Sequence, residues 1–218
     1  MQQSMFVLNA VDTLANHLLL ELRDPSTQSH RGSFRRNLVK LGQIMAYELS
    51  KSLEYGEQEV DTVLGRSKIN TIKESPVLFT IIRAGLPFLA GFQEFFENSD
   101  SGFIGAHRME GNGEEISVDL GYSAIPNFEN KHLIVVDPML ATGKSLTSSL
   151  EAILKKGTPK MLHLVFAIAA PEGIDYLQQK VKVPYRIWIA AVDDHLNQNS
   201  YIVPGLGDAG DLLFGNKI

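Results

Sequence analysis

The sequence predicts an α/β fold: a mostly parallel sheet flanked by helices, with an N-terminal helical segment. From Pro76 onward, short apolar runs rich in β-branched residues alternate with segments of helical periodicity. Strand–helix–strand alternation is typical of parallel sheets, because a crossover helix lets the next strand run in the same direction. The 218 residues, 44% of them hydrophobic, are enough for one domain with a substantial core. We expect residues 1–218 to form that single domain.

The first third of the chain is predicted to be helical. Residues 11–23 place three leucines on one face of a helix, and residues 34–53 show the same apolar spacing. Between them, residues 24–27 combine a proline with short polar side chains, which indicates a turn. The N-terminal part is therefore expected to add helices to the fold.

The remainder of the chain is predicted to alternate between strands and helices. In chain order the pattern gives strand 77–82, helix 86–96, strand 133–136, helix 145–156, strand 161–169, helix 172–180 and strand 185–192. Between residues 105 and 130, glycines and acidic residues interrupt this alternation, and we expect a β-hairpin there. Ligands of parallel α/β domains bind beyond the carboxyl ends of the strands, so this hairpin is expected to stand over the site.

Composition excludes several classes of protein. A net charge of −5 provides no basic field for nucleic acid or an anionic membrane surface. The absence of cysteine excludes disulfides and thiolate metal sites, and it agrees with a cytoplasmic location. The N-terminus lacks the basic start of a signal peptide, and the longest apolar run, residues 161–170, is about half as long as a membrane span. The six histidines show no metal-ligand spacing, so no metal ligands are expected among the side chains.

Residues 133–145 form the segment in which chemistry is most strongly indicated. A buried strand ends in Asp137, a short loop follows, and Thr-Gly-Lys-Ser begins a helix at residues 142–145. Free backbone amides at a helix start attract anions, Gly143 allows the backbone to approach a phosphate, and the two hydroxyls add donors. Asp137 is an acceptor suited to sugar hydroxyls. The combination indicates a ribose phosphate as ligand.

Two other interpretations of this segment are open. A nucleoside triphosphatase P-loop also ends in Gly-Lys-Ser, but it requires a glycine five residues before that glycine, where this chain has Pro138. A plain strand–turn–helix junction, capped by a Ser or Thr hydroxyl, would show much of the same pattern.

The segment also resembles the phosphoribosyl diphosphate loop of the type I phosphoribosyltransferases. Most members of that superfamily carry two adjacent acids, and Pro138 replaces the second, as in the branch whose loop reads Asp-Pro-Met-Leu-Ala-Thr-Gly. Residues 201–211, Tyr-Ile-Val-Pro-Gly-Leu-Gly-Asp-Ala-Gly-Asp, are similar to the uracil-binding segment of the same branch. Shorter matches extend the resemblance over residues 22–215. By these motifs the chain is identified as a member of the uracil phosphoribosyltransferase family.

The resemblance implies an enzyme that converts uracil and 5-phospho-α-D-ribose 1-diphosphate into UMP and diphosphate. The residues that it assigns to phosphoribosyl diphosphate are Arg83, Arg108, Asp137, Pro138, Met139, Leu140, Ala141, Thr142, Gly143, Lys144, Ser145 and Asp208. Those that it assigns to uracil are Ile202, Gly207, Asp208 and Ala209, and those expected to be catalytic are Asp137, Arg108 and Asp208. It further implies Mg²⁺ bound through the diphosphate, no nucleic-acid or membrane partner, and a homodimer or higher homo-oligomer.

Two alternatives concern function within the same fold. Regulatory RNA-binding proteins of pyrimidine operons resemble these enzymes, but they keep the paired acids and need a basic surface, whereas this chain has Pro138 and a net charge of −5. An inactive homologue is suggested only by Lys144, where the family commonly has a second glycine. We expect the Lys144 side chain to point outward into water, since amides and hydroxyls already satisfy the phosphate.

Overall fold

The computed structural model of the protein describes residues 4–108 and 118–216. Residues 109–117 of the expected hairpin lie outside the described residues, as do the side chains of residues 106–121. In the N-terminal part, strand β1 (Met5–Val7) precedes a 3₁₀ turn (Leu8–Ala10) and the helices α1 (Ala15–Arg23), α2 (Pro25–Gln28) and α3 (Arg31–Ser50). A two-stranded ribbon follows, made of β2 (Tyr55–Thr62) and β3 (Gly65–Ile72).

The alternating part of the chain begins with β4 (Val77–Ile82). After it come α4 (Leu86–Gln93), β5 (Ser101–Arg108), β6 (Val118–Ala124), β7 (His132–Leu140), α5 (Lys144–Leu154), β8 (Met161–Ala169), α6 (Pro171–Lys180) and β9 (Tyr185–Val192). Two short strands, β10 (His195–Leu196) and β11 (Ile202–Val203), and the helix α7 (Ala209–Phe214) complete the described chain.

Seven strands form the central sheet, in the order β1-β9-β8-β7-β4-β5-β6. Every neighbouring pair is parallel except β5 and β6, which are antiparallel with a register shift between Gly105 and His107. The mostly parallel sheet predicted from the sequence is therefore confirmed. The antiparallel hairpin expected at residues 105–130 is formed by β5 and β6, but it begins earlier, at Ser101, and it belongs to the central sheet, since β5 pairs with β4. Whether this hairpin covers a ligand stays a prediction.

The sheet is buried on both faces, because helices pack on each. Successive strand residues enter two separate apolar clusters, as Leu78 and Phe79 of β4 do. One cluster is completed by α1, α3, α4 and α7, and the other by α5 and α6. This explains the near-continuous apolar runs of the strands, since a half-exposed strand would alternate with polar residues.

Several element boundaries differ from the sequence predictions. The turn expected at residues 24–27 contains the short helix α2, because an Asp24 carboxyl oxygen accepts from the Ser26 N–H (2.8 Å) and Pro25 occupies the first helical position. Strand β7 continues past residue 136 to Leu140. Asp137, Met139 and Leu140 still pair with β8, and Pro138, which has no N–H, has no partner in the ladder. The acidic residue thus lies inside the strand end.

The ribbon β2–β3 was not predicted from the sequence. Its antiparallel register places every charged side chain of the ribbon on one face, where ion pairs such as Lys68–Glu57 (2.8 Å) form. The opposite face carries no charge and includes Val60 and Ile69, each about half exposed, while Val63 and Leu64 at the tip are fully exposed. The alternation of charged and uncharged residues is the sequence signal that indicates these strands.

Among the described residues, no helix has an apolar stretch of the length and hydropathy that a bilayer crossing requires.

Candidate active site

A cleft of about 200 Å³ lies at the carboxyl ends of β4 and β7. Its lining residues are Ala84, Asp137, Pro138, Met139, Ala141, Asn199, Ser200, Tyr201, Gly207, Asp208, Ala209 and Gly210. The predicted phosphate loop and the predicted uracil segment, far apart in the sequence, therefore meet around one cavity. The position at the carboxyl edge of a parallel sheet is the one expected for a ligand site.

Asp137 lies on the wall of this cleft with little hydrogen bonding to the protein. A carboxyl oxygen accepts from the Met139 N–H at 3.0 Å. Burial of the carboxyl raises its pKa to about 7, and the bond from Met139 offsets only part of that effect. Hydroxyl donors or positive charge from a bound ligand would favour the ionised form of this carboxyl.

The turn after β7 depends on Gly143. This glycine adopts a left-handed backbone (φ 73°), and a Cβ there would come within 3.2 Å of the Gly173 carbonyl oxygen. Gly173, on α6, is needed for the same packing, since its own Cβ would lie 2.2 Å from the Ala141 carbonyl oxygen. Close packing of α6 against the loop therefore requires a glycine on each side, Gly173 on the helix and Gly143 in the loop.

Helix α5 begins directly after this turn, at Lys144. Lys144 has a helical backbone and an exposed side chain, so the left-handed conformation falls on Gly143 and an ordinary residue fits at position 144. Thr142 Oγ1 accepts a long hydrogen bond from the Lys144 N–H (3.4 Å). The next N–H groups of the first helical turn have no acceptor within the helix, which leaves them available to an anion.

The predicted uracil segment forms a tight turn followed by a helix. Gly205 and Gly207 have left-handed backbones (φ 63° and 89°), and Asp208 caps α7 by accepting from the Asp211 N–H at 3.0 Å. Ile202 is buried (4% exposed) in the core beneath the turn and is not part of the cleft lining, so a role with uracil would fall to its backbone.

Arg83, predicted to bind phosphoribosyl diphosphate, contacts the C-terminal helix instead of lining the cleft. Its Nη2 donates to the Gly215 carbonyl (2.9 Å) and pairs with Asp211 (3.2 Å), and its guanidinium lies 5.7 Å from the Phe214 ring centre. Its Nε is buried and has no acceptor among the described residues. The adjacent Ala84 does line the cleft, which puts Arg83 next to the site.

The other predicted site residues fall into three groups. Leu140 is a core residue, 1% exposed. Thr142, Gly143, Lys144 and Ser145 continue from the cleft wall into α5 without lining the cavity. Arg108 ends strand β5, and its side chain lies outside the described residues.

Sequence reasoning missed the contribution of Asn199 and Ser200. Both line the cleft as part of a turn in which the Asn197 Oδ1 accepts from the N–H groups of Asn199 (2.9 Å) and Tyr201 (3.0 Å). Ser200 has a left-handed backbone (φ 61°). The Asn-Gln-Asn-Ser run was a turn signal, because asparagine side chains bond to the backbone two residues on.

Solved structures identify the fold. The structure matches a hypoxanthine-guanine phosphoribosyl transferase from L. donovani with a TM-score of 0.51 at 15% identity, over 75% of this chain and 81% of that one. A likeness at this identity establishes the fold alone, and the fold is that of the type I phosphoribosyltransferases. The AQ2163 protein from Aquifex aeolicus is closer in structure, with a TM-score of 0.86 and 36% identity over 98% of this chain and 99% of that one.

Sequence comparison gives the family. The family model described as uracil phosphoribosyltransferase matches residues 10–216. A uracil phosphoribosyltransferase from Porphyromonas gingivalis (strain ATCC 33277) is 41% identical over 211 residues, which cover 97% of this chain and 98% of that protein. The chain belongs to the uracil phosphoribosyltransferase family, and it is a pentosyltransferase.

Proposed function

We propose that this protein transfers the 5-phosphoribosyl group of phosphoribosyl diphosphate to uracil. The bond between ribose C1 and the diphosphate oxygen breaks, a bond from C1 to a uracil ring nitrogen forms, and the proton of that nitrogen passes to solvent. The observation that carries the proposal is that one cleft joins residues of the phosphate loop to residues of the uracil segment. The names of the relatives support the choice of uracil.

The phosphate end of the substrate is assigned to the turn at residues 142–145. The first-turn amides of α5 and the hydroxyls of Thr142 and Ser145 supply donors, and the helix start carries partial positive charge. Asp137, on the adjoining wall, is assigned to the ribose hydroxyls. Donors from such hydroxyls favour the ionised carboxylate, and they would lower the raised pKa of Asp137 when the substrate binds.

The diphosphate end requires positive charge, because charge builds on the leaving group as the C1–O bond breaks. Arg83 and Arg108 are assigned to it. Arg83 is adjacent to the cleft, and its buried Nε donates to no acceptor within residues 4–108 and 118–216. The proposal therefore includes a change of partner for Arg83, from the C-terminal helix to the diphosphate.

Magnesium belongs to the proposal through the substrate. Asp137 and Asp208 are the carboxylates that line the cleft, and within residues 4–108 and 118–216 no group of three or more metal-ligating side chains lies together. Two acids fit a cation that brings most of its ligands with it as diphosphate oxygens and water. When bound, Mg²⁺ would neutralise charge on the departing diphosphate. We propose the cytoplasm as the location, in agreement with the cysteine-free composition.

A panel of bases tests the proposed function. The purified protein, with phosphoribosyl diphosphate and Mg²⁺, is offered uracil, cytosine, orotate, hypoxanthine and adenine, and nucleotide and diphosphate are both quantified. We expect rapid nucleotide formation with uracil alone. Comparable turnover of orotate or of a purine would contradict the assignment. No observation favours the regulatory RNA-binding alternative.

We also propose that the enzyme is a homodimer or higher homo-oligomer, with the ribbon β2–β3 as a contact between copies. A two-stranded ribbon is marginally stable by itself, and this one leaves its uncharged face and apolar tip exposed. Light scattering after size-exclusion chromatography measures the mass. We expect Ile69→Lys, on the uncharged face, to shift the protein toward the monomer, and Asn70→Lys, on the charged face, to leave it unchanged. A monomeric wild type at all concentrations would contradict the proposal.

A further inference from the structure

An ion pair outside the cleft holds a turn within the predicted uracil segment, at Gly205. Arg23, the last residue of α1, reaches Asp193, which follows β9 directly. The guanidinium contacts both carboxylate oxygens, Nη1 to Oδ2 at 2.8 Å and Nη2 to Oδ1 at 2.5 Å. The Asp193 side chain is 3% exposed and the Arg23 side chain 23%. This is a two-pronged, largely buried pair, a geometry that fixes orientation as well as distance.

Both groups of the pair also bind the backbone of a single residue, Gly205. The Gly205 N–H donates to Asp193 Oδ2 at 2.9 Å, and Arg23 Nη1 donates to the Gly205 carbonyl oxygen at 3.0 Å. The two polar groups of Gly205 are thus held by opposite charges. A shift of the turn in either direction would break one of these bonds and leave a charged group short of a partner, which is costly in a buried position.

The position of Gly205 makes this contact relevant to the site. Its left-handed backbone folds the chain over Ile202, and a Cβ there would lie 2.1 Å from the Ile202 carbonyl oxygen. Two residues later, Gly207 begins a second cleft-lining stretch of the segment, after Tyr201, and Asp208 and Ala209 follow it. The placement of Gly205 therefore affects where the backbone of residues 207–209 lies.

We propose that Arg23 and Asp193 are positioning residues for base recognition. By hydrogen bonding to the N–H and C=O of Gly205, they hold the backbone of residues 207–209 in the position in which it can hydrogen-bond to the edge of the pyrimidine. The proposal rests on the proposed function, since it takes uracil as the base. Neither residue lines the cleft. Their effect on the reaction is exerted through the backbone between them and the base.

Kinetics separate positioning from a general effect on stability. In Arg23→Lys the charge is kept, but the planar guanidinium that donates through two nitrogens is replaced by a single ammonium group, so the fixed two-point geometry is lost. In Asp193→Asn the amide oxygen still accepts one hydrogen bond, but the charge is lost. For both variants we expect the KM for uracil to rise at least fivefold and the KM for phosphoribosyl diphosphate to rise clearly less, because Asp208 is the one residue of the stretch 207–209 that is assigned to both substrates.

Asn37→Ala provides the matched control. Asn37, on α3, is buried and donates to Glu21 (2.7 Å), which lies on α1 as Arg23 does. Loss of this bond weakens the packing of α1 and removes no contact with the uracil segment. This variant should unfold more easily than wild type with an unchanged ratio of the two KM values. Equal rises in both KM values in Arg23→Lys and Asp193→Asn, or the same ratio as in Asn37→Ala, would overturn the proposal.

Amide hydrogen exchange in the ligand-free protein gives a second measurement that does not depend on turnover. We expect Asp193→Asn and Arg23→Lys to speed exchange at residues 205–209 at least tenfold, and Asn37→Ala to leave it unchanged there. Unchanged exchange in all three variants would overturn the proposal. A wild type that fails to use uracil would contradict the proposed function instead, and faster exchange would still show the grip on Gly205.

Discussion

The substitution Asp137→Asn is expected to make the ligand-free protein more stable and the enzyme much slower. The carboxyl of Asp137 has its pKa raised from 3.8 to about 7 by burial. An acid whose pKa is raised in the folded state contributes stability below its unfolded pKa, near 3.8, and loses it as the pH rises through about 7. The asparagine amide carries no charge at any of these pH values, and its oxygen can still accept from the Met139 N–H.

The size of the gain follows from the shift. Each pKa unit corresponds to about 1.4 kcal/mol, so a shift of about three units sets an upper limit near 4 kcal/mol above pH 7. Asp137 is partly accessible through the cleft, and screening by water reduces this figure, so we expect a gain of about 2 kcal/mol. Denaturant unfolding at pH 5, 7 and 8.5, without ligands, measures it. The advantage of Asp137→Asn should grow from pH 5 to 7 and then level off.

Turnover should change in the opposite direction. If Asp137 holds the ribose hydroxyls or their metal, its charge contributes about 2–4 kcal/mol to lowering the barrier, a loss of about 30- to 1,000-fold in kcat. Asp175→Asn, at an exposed position on α6, should change neither stability nor rate. A near wild-type rate would show that Asp137 only completes a turn, and an advantage that does not vary with pH would refute the burial argument.

Two further predictions concern single side chains. In Lys144→Gly we expect the KM for phosphoribosyl diphosphate to change less than about threefold, under about 0.7 kcal/mol. The reason is that the Lys144 side chain is exposed and Gly143 already supplies the left-handed turn. A tenfold rise in this KM that shrinks with added salt would place the lysine in the phosphate site. His163 is fully buried, and this lowers its pKa to about 3; it accepts from Trp188 Nε1 (3.2 Å) and faces His132 (2.9 Å). Because the pKa of His163 is lowered in the folded state, stability falls as the pH drops below 6.5, by about 2 kcal/mol between pH 7 and pH 5. The unfolding free energy of the wild type should therefore fall by about 2 kcal/mol more than that of His163→Gln over this range. An equal pH dependence in the two proteins would contradict the prediction.

The sheet was predictable because both of its faces are buried. Apolar runs of the right length mark β4, β7, β8 and β9 without any knowledge of their neighbours, and the loop after β7 is marked by its own glycine and hydroxyls. The ribbon β2–β3 was missed since its residues are largely exposed and polar, so no apolar run signals it. The contacts of Arg83 were not predictable: its position after a buried strand is visible in the sequence, whereas its partners Asp211 and Gly215 lie more than a hundred residues away in the chain.

The different surroundings of two acidic residues at strand ends could not be predicted from the sequence. Asp137 and Asp193 each follow a buried apolar run, and nothing in the sequence around them distinguishes their roles. In the structure Asp137 lines the cleft and accepts a hydrogen bond from the Met139 N–H. Asp193 instead forms an ion pair with Arg23, 170 residues away, and accepts from the Gly205 N–H. What distinguishes a carboxylate free to meet substrate from one that fixes the scaffold is whether an arginine lies within reach. That depends on where α1 packs, because no local pattern links residues so far apart in the chain.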